Sequence, residues 1–512
     1  MGAPLSRRRF LGMVGAGAAA WGAQNVLGLS AAEASPVVRS DRFGRMFRLP
    51  PFADQSPQLE ATLREIGRPG GLMDAADALE RGPIALILDP GPNADNPAHT
   101  AGVTFVGQFL DHDMTFDVGS RLGVPTNPER ATNGRTPALD LDSVYGGGPT
   151  VSPQLYDPAD RARLRVESGG AFEDLPRGSD GTAIIGDPRN DENLLIAGLH
   201  AAFLLFHNAA VDAVRHSGRT DPATAFAEAR RLTTWHYQWL IVHEFLPLFV
   251  GQAMVDDISQ HGPRVYRPAV GEAFIPVEFQ GAAYRFGHSL VRPSYRANLG
   301  ADVPGRRDDL PPFFGFVFDA AIPETEPDPD DLRGGHRACR RFVGWQTFFE
   351  FGDGEVKRNK RIDTLISTPL FHLPLGAIAS HDLPTALPQR NLLRHLTWQL
   401  PSGQAIAAAT GVPALAPADL DDLAVFGLDL DRSTPLWFYV LREAHLVADG
   451  RHLGPVGGRI VAEVILGLLA SDQGSFLVRE PGWQPLFGPR AGEFRMVDFL
   501  RFAGVDPVSR GR

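Results

Sequence analysis

Apolar residues recur at helical spacing over long stretches of this chain, while alternating, strand-like patterns are few and short. That contrast limits the fold to a mainly α class. The clearest run opens at Asp187-Pro188, a capping aspartate with proline at the first helical position. It continues to about Val214 with Leu195, Leu199, Phe203 and Phe206 on its apolar side. Further helices are predicted over 222–250, 276–291 and 459–470, with shorter ones over 337–349, 436–446 and 495–502. The 512 residues would suffice for about three domains at roughly 150 residues each. No Gly/Ser or Pro-rich linker divides them, however, and no internal repeat is visible. The 55 glycines and 43 prolines exceed the usual shares of about 7% and 5%. We read them as long surface loops between the helices of one large unit.

The N-terminus sets the expected route. Ser6-Arg7-Arg8-Arg9-Phe10-Leu11 matches the twin-arginine consensus, an Ala/Gly-rich apolar stretch runs to about Leu29, and Ala32-Glu33-Ala34 forms a small-x-small cleavage site. Residues 1–34 are therefore expected to be a twin-arginine signal peptide, leaving 35–512 as the exported domain. The twin-arginine export machinery, which moves folded proteins, would deliver it to the periplasm or the medium. The stretch is shorter and less apolar than the roughly 20 residues a membrane span needs, so no stable membrane insertion is expected. Gly15-Ala16-Gly17 mimics a dinucleotide fingerprint, but no strand precedes it and it lies in the segment to be removed. A net charge of −11 argues against nucleic acid as a partner. The lone Cys339 excludes an intramolecular disulfide despite the oxidising destination. Oligomeric state is left open.

Four strings carry chemistry. In GQFLDHDMTFD, 107–117, residues Gln108, Asp111 and His112 sit at i, i+3 and i+4 and share a helix face. Asp113 points about 100° away. In AAYRFGHSLVRP, 282–293, residues Tyr284, Arg285 and His288 precede a closing Pro293. In GDPRNDENLL, 186–195, residues Arg189, Glu192 and Asn193 again take the spacing of one helix face. In TPALDLDSVYGGG, 136–148, residues Thr136, Ala138, Asp140 and Asp142 alternate in an extended loop, so their oxygens can converge on a hard cation together with Asp113. The spacing is not that of an EF-hand. Taken singly, each string has a plain structural account: a polar helix end, a packed core histidine, or an i,i+3 surface pair worth a few tenths of a kcal/mol.

Together and in this order, the strings resemble the animal-type heme peroxidases of the peroxidase–cyclooxygenase superfamily, in the form of an exported bacterial member. A C-terminal run over 437–477 with GPVGGRIVAEVILGLLASD is also similar, so the likeness spans most of 35–512. The resemblance implies a large single-domain helical heme peroxidase fold with little β-structure, holding heme b and calcium. It implies that His112 is the distal acid–base group with Gln108 and Arg189 beside it, and that His288 binds the heme iron. Arg285 is then a heme-binding residue, Asn391 supports His288 from behind, and Arg394 pairs with a propionate. Asp111 and Glu192 become sites of ester links to heme methyls. Asn193 stands where one relative has a methionine that forms a sulfonium link, which asparagine cannot make. Asp113, Thr136, Asp140, Asp142 and the Ala138 carbonyl become the calcium ligands, with Asp142 adding charge where some relatives have serine.

The implied activity is reduction of hydrogen peroxide through a ferryl intermediate, with oxidation of a small organic or halide donor as the reductant. Two alternatives stay open. A fatty-acid dioxygenase of the superfamily uses a tyrosine three residues before the proximal histidine, where this chain has Arg285; Tyr284 lies four before. The other is a non-catalytic exported heme- or calcium-binding protein. His236, His243 and Glu244 lack the second histidine of a zinc helix, and Cys339 has no partner motif for a thiol nucleophile. The acidic clusters 324–331 and 419–431 read as solvated loops.

Overall fold

The structure, a computed structural model, describes residues 41–168, 173–300, 310–335, 340–490 and 492–505. The twin-arginine motif, its cleavage site and Cys339 lie outside the described residues. The expected α class is observed: helices dominate, and strands form four two-stranded pairs. These join Phe43–Gly44 to Ile275–Pro276, Asp95–Thr100 to Arg358–Lys360, Glu167–Ser168 to Glu173–Asp174, and Ser294–Arg296 to Phe314–Phe316.

Helix α1, Pro57–Ile66, is capped by Ser56, whose hydroxyl accepts from the Leu59 amide at 3.1 Å. Helix α2, Gly102–Met114, carries the His112 string. A side chain at Gly102 would place its Cβ 2.4 Å from the Phe349 ring, so only glycine lets α2 start this close to its neighbour. Helix α3, Leu194–His216, is long and apolar enough to cross a membrane by length and composition, but 83% of its most apolar window is buried within the protein, as in a core helix. Helix α4, Pro222–Leu240, is capped by Asp221 and packs along α3. Phe109 of α2 stacks on Phe203 of α3 at 4.4 Å, and Tyr237 of α4 meets both rings edge-on. Each such buried aromatic contributes roughly 1.5–3 kcal/mol of transfer free energy, so these contacts fix α2 against the core.

The other half of the molecule is built on α5, Gly287–Leu290, α6, Leu387–Trp398, α7, Leu436–Ala448, and α8, Pro455–Ser471. Helix α6 packs on α1. Helix α8 starts a turn earlier than the periodicity suggested. Pro455 takes a first-turn position there, and the buried Glu443 carboxylate accepts from the Val456 and Gly457 amides. Helix α9, Met496–Phe502, lays Phe499 flat on Phe206 of α3 at 4.3 Å.

Four expected helices are altered. The 187–214 run divides into a 3₁₀ turn, Pro188–Asp191, and α3, because Asn193 adopts extended dihedrals (φ −143°) and caps α3 with its carboxamide oxygen. The 222–250 helix is interrupted by a π-turn at Ile241–Phe245, next to Pro247, which has no N–H to donate back to residue 243. The 276–291 helix is broken at Ala282 (φ −142°) into Val277–Gly281, a 3₁₀ turn Ala283–Phe286, and α5. The 337–349 helix is absent over 340–349 except for a 3₁₀ turn at Trp345–Thr347. There the buried Arg341 guanidinium donates to the carbonyls of Pro329, Asp331 and Arg333, and these tertiary bonds override local helical spacing.

Candidate active site

One cavity of about 290 Å³ receives side chains from both halves. Gln108, Asp111 and His112 enter from α2, and Arg189, Glu192 and Asn193 from the turn before α3. Tyr284, Arg285 and His288 face them from the broken segment leading through α5, with Arg390 and Arg394 from α6. Arg189, Glu192 and Asn193 do not share a helix face, as their spacing suggested; a turn and a cap bring them together instead.

His112 is buried, and its Nδ1 donates to Asn190 Oδ1 at 2.8 Å. That bond places the proton on Nδ1 and leaves the Nε2 lone pair free, with the nearest Glu192 carboxylate oxygen 3.9 Å away. Burial, reinforced by the Arg189 charge, lowers the His112 pKa to about 4. Glu192 accepts from the Gln108 carboxamide, whose oxygen takes Asn193 Nδ2 at 3.2 Å. Burial pushes Glu192 up to about 8, so it stands protonated at neutral pH. The Glu192 carbonyl accepts from the amide of Gly334, where a Cβ would collide with Asp191 O.

Arg189 is clamped. Its guanidinium binds Asp187 through Nε (3.0 Å) and Nη2 (2.7 Å), and donates to the carbonyls of His112 (3.1 Å) and Thr115 (2.6 Å). Despite complete burial, Asp187 is held well below the carboxylate range by this pairing. Asp187 is thus more than the cap its sequence position indicated. It also takes an ion pair from Arg135 at 2.8 Å, which ties the clamp to the 136–142 loop.

On the opposite side, His288 Nδ1 lies 2.8 Å from the Asn391 carboxamide nitrogen, and the Asn391 oxygen takes Arg285 Nη1 at 3.2 Å. Burial and the charges of Arg285 and Arg394 lower the His288 pKa to about 3, so its ring is neutral and able to bind metal. Trp437 Nε1 bonds Arg285 O at 3.1 Å and pins the turn. Arg394 pairs with Asp117 at 3.1 Å. Among the described residues Arg285 has no carboxylate partner, and burial with repulsion from Arg394 lowers its pKa to about 9. With Arg390, which pairs with Asp382 at 3.1 Å, this makes a cluster of three arginines on one cavity, of which Arg285 is left to meet a ligand carboxylate. Arg390 was not singled out from sequence, although Arg390 and Arg394 at i, i+4 already shared a helix face.

Asp113 faces away from the cavity, as the helical phase required. Ligand oxygens of Asp113, Asp140 and Asp142 lie within 4.8 Å of one another. Asp113 accepts from Leu141 N (3.1 Å), Ser143 Oγ (2.9 Å) and Tyr237 OH (3.2 Å). Thr136 donates through its amide and hydroxyl to Asp142 Oδ2. Ala138, buried, lies on the same loop. Burial and the neighbouring carboxylates raise Asp113 well above its usual range and Asp142 to about 6. Three crowded carboxylates, with the proton affinity of Asp113 and Asp142 raised, are what a bound divalent cation would relieve. The decoy histidines are structural: His243 stacks on Trp239 at 3.8 Å, and His236 on Phe487 at 4.7 Å.

Residues 117–306 match the family model described as animal haem peroxidase. Mouse thyroid peroxidase is 28% identical over 228 residues, covering 39% of this chain and 24% of that protein. The chain thus aligns with about a quarter of the length of that relative. Among solved structures, Peroxidase A from Dictyostelium discoideum superposes with a TM-score of 0.61 at 15% identity, covering 92% of this chain and 94% of the other. A fatty acid alpha-dioxygenase from Arabidopsis thaliana gives 0.55 at 14% identity, covering 92% and 76%. The structural likenesses establish the fold. Over residues 117–306 the chain is similar to the animal haem peroxidases.

Proposed function

We propose that this chain is a heme-dependent peroxidase that reduces hydrogen peroxide and oxidises small organic or halide donors. The observation that carries the reading is the pair of neutral histidines, His112 and His288, lining one cavity beside an arginine cluster. The residues fit heme: His288 offers an uncharged ring nitrogen for iron, and Arg285, Arg390 and Arg394 suit two propionates. Bound heme would supply the redox-active iron that takes up the oxidising equivalents of peroxide. Ligation through Nε2 needs the His288 proton on Nδ1. Rotation of the Asn391 carboxamide, whose oxygen now takes Arg285 Nη1, would provide the acceptor. His112 Nε2 then takes a proton from the near oxygen of peroxide and returns it to the far one, so that water leaves. The Arg189 charge favours the negative charge that develops as the bond breaks. The twin-arginine motif supports export of the loaded, folded protein.

A second reading, fatty-acid dioxygenase, is favoured by the Arabidopsis neighbour and by the apolar Phe245, Phe249 and Ile378 in the cavity wall. Against it, Arg285 occupies the position three before His288, and Tyr284 OH is engaged by Gly107 O at 3.0 Å. The deciding experiment records the optical spectrum of purified protein, then adds peroxide with bromide, iodide or a phenol, and separately measures oxygen uptake with a fatty acid. Donor oxidation without oxygen uptake supports the peroxidase; the reverse result replaces it by the dioxygenase.

Covalent attachment of heme is expected. Asp111 and Glu192 both line the cavity, and Asp111 keeps a hydrogen bond from Thr115 Oγ1 at 3.2 Å. After peroxide treatment, acid–acetone extraction should leave heme on the protein through at least one ester, with Asp111 the preferred site. The red-shifted spectrum of a sulfonium link should be absent, because Asn193 cannot form one. Complete release of unmodified heme would mean that neither carboxylate is linked.

Calcium is proposed for the Asp113, Asp140 and Asp142 cluster. Asp140→Ala with Asp142→Ala should abolish one bound calcium per chain by elemental analysis. The double variant should melt lower than wild type in calcium, yet no lower in chelator, because the substitutions also remove like-charge repulsion from the empty cluster. Retention of stoichiometric calcium would defeat the assignment.

A further inference from the structure

The ring nitrogen of His112 that faces away from the cavity leads to a second buried histidine. Asn190 accepts from His112 Nδ1 at 2.8 Å through its oxygen, and its amide nitrogen lies 2.9 Å from Nδ1 of His200, the seventh residue of α3. Asn190 is fully buried, and His200 is 1% exposed. Among the described residues, the Asn190 carboxamide has no other hydrogen-bond partner. A carboxamide nitrogen only donates and its oxygen only accepts. His200 Nδ1 must therefore be the accepting nitrogen, with its proton on Nε2, and this polarity turns the Asn190 oxygen towards His112.

The far end of the chain of bonds is equally informative. His200 Nε2 is buried without a hydrogen-bond partner, its ring lying edge-on to Phe109 at 6.2 Å. A leucine of similar volume would fill this place without stranding an N–H in an apolar surround. Packing alone does not call for histidine here; an acceptor aimed at Asn190 does.

We propose that His200 is a positioning residue which, through Asn190, locks the distal histidine in the tautomer whose basic Nε2 faces the cavity. Without it the carboxamide can rotate, its nitrogen facing His112 and selecting the opposite tautomer, with Nε2 protonated and unable to accept. The proposal rests on the reading of His112 as the cavity's proton acceptor.

The test uses the full-length chain as His200→Leu, His200→Asn, Asn190→Leu and the His200→Leu/Asn190→Leu double variant. Hydrogen cyanide is the probe for the heme-loaded protein, because its proton must go to the distal base. His200→Leu should slow cyanide association roughly tenfold, a fraction of the about 10²–10⁴-fold that a positioned proton acceptor supplies. His200→Asn, which keeps an acceptor oxygen near the Nδ1 position, should restore most of the rate. Because His200 acts only through Asn190, the double variant should be no slower than Asn190→Leu. Independently of any reaction, long-range ¹H–¹⁵N spectra of histidine-labelled chain should show the His112 proton on Nδ1 in wild type and His200→Asn, and shared between the nitrogens in His200→Leu. Additive losses in the double variant, or an unchanged Nδ1 proton in His200→Leu, overturn the proposal. A wild type inert to peroxide but with the expected tautomers would sink the peroxidase reading and leave the relay standing. Should His200→Leu not fold, the comparison of Asn190→Leu with wild type decides the tautomer question alone.

Discussion

His288→Ala should abolish stoichiometric heme binding, or leave a heme whose Soret band departs from the ferric wild-type spectrum, and peroxidase turnover should vanish with it. The expectation follows from what lies around the cavity. Among the described residues His288 is the cavity's one histidine on the side of Arg285 and Arg394, its ring is neutral, and rotation of the Asn391 carboxamide beside its Nδ1 would place the proton there and free Nε2 for metal. No other histidine lining the cavity except His112 could substitute, and His112 is committed through Asn190. Imidazole added to the variant should restore part of the spectrum, since the space left by the ring opens on the cavity. A variant that keeps the wild-type Soret band and activity would falsify the proximal assignment.

His112→Ala should retain heme and lose the reaction with peroxide. Positioned proton transfer supplies about 10²–10⁴-fold, and stopped-flow loss of the resting Soret band should slow by that order. The wild-type rate should hold from neutral pH downward and fall only as the pH approaches about 4, where His112 gains a proton and can no longer accept one. The sign matters: a histidine of ordinary pKa would begin to lose the rate near 6.5. A variant as fast as wild type removes His112 from the mechanism.

The placement of the 107–117 and 136–142 strings was legible because their geometry is local. Once 102–114 is helical, a 100° step per residue sends His112 to one side and Asp113 to the other. Short alternation in the 136–142 loop likewise gathers Asp140 and Asp142 without help from distant parts of the chain. What sequence missed depends on contacts across more than the local turn. Asn190 and His200 were passed over because α3 was read for apolar periodicity, in which His200 is only a polar interruption. The helical reading of 187–193 failed because Asn193 uses its side chain as a cap, and a residue of low helix propensity three positions after Asn190 was the available signal. The 337–349 reading failed because the buried Arg341 guanidinium takes backbone carbonyls that the tertiary structure presents.

The cluster of Arg285, Arg390 and Arg394 also bears on assembly. All three stand on one side of the cavity, where Asp117 and Asp382 offset Arg394 and Arg390 but, among the described residues, no carboxylate pairs with Arg285, so an anionic guest would relieve their mutual repulsion. A ligand that binds only the folded form adds about 2.7 kcal/mol at a hundredfold excess over its Kd, a sizeable share of the net stability of a typical domain. The melting temperature of this protein should therefore rise with heme concentration, by mass action, well beyond simple occupancy of one site per chain. The guest is then a structural member of the fold as much as its reagent.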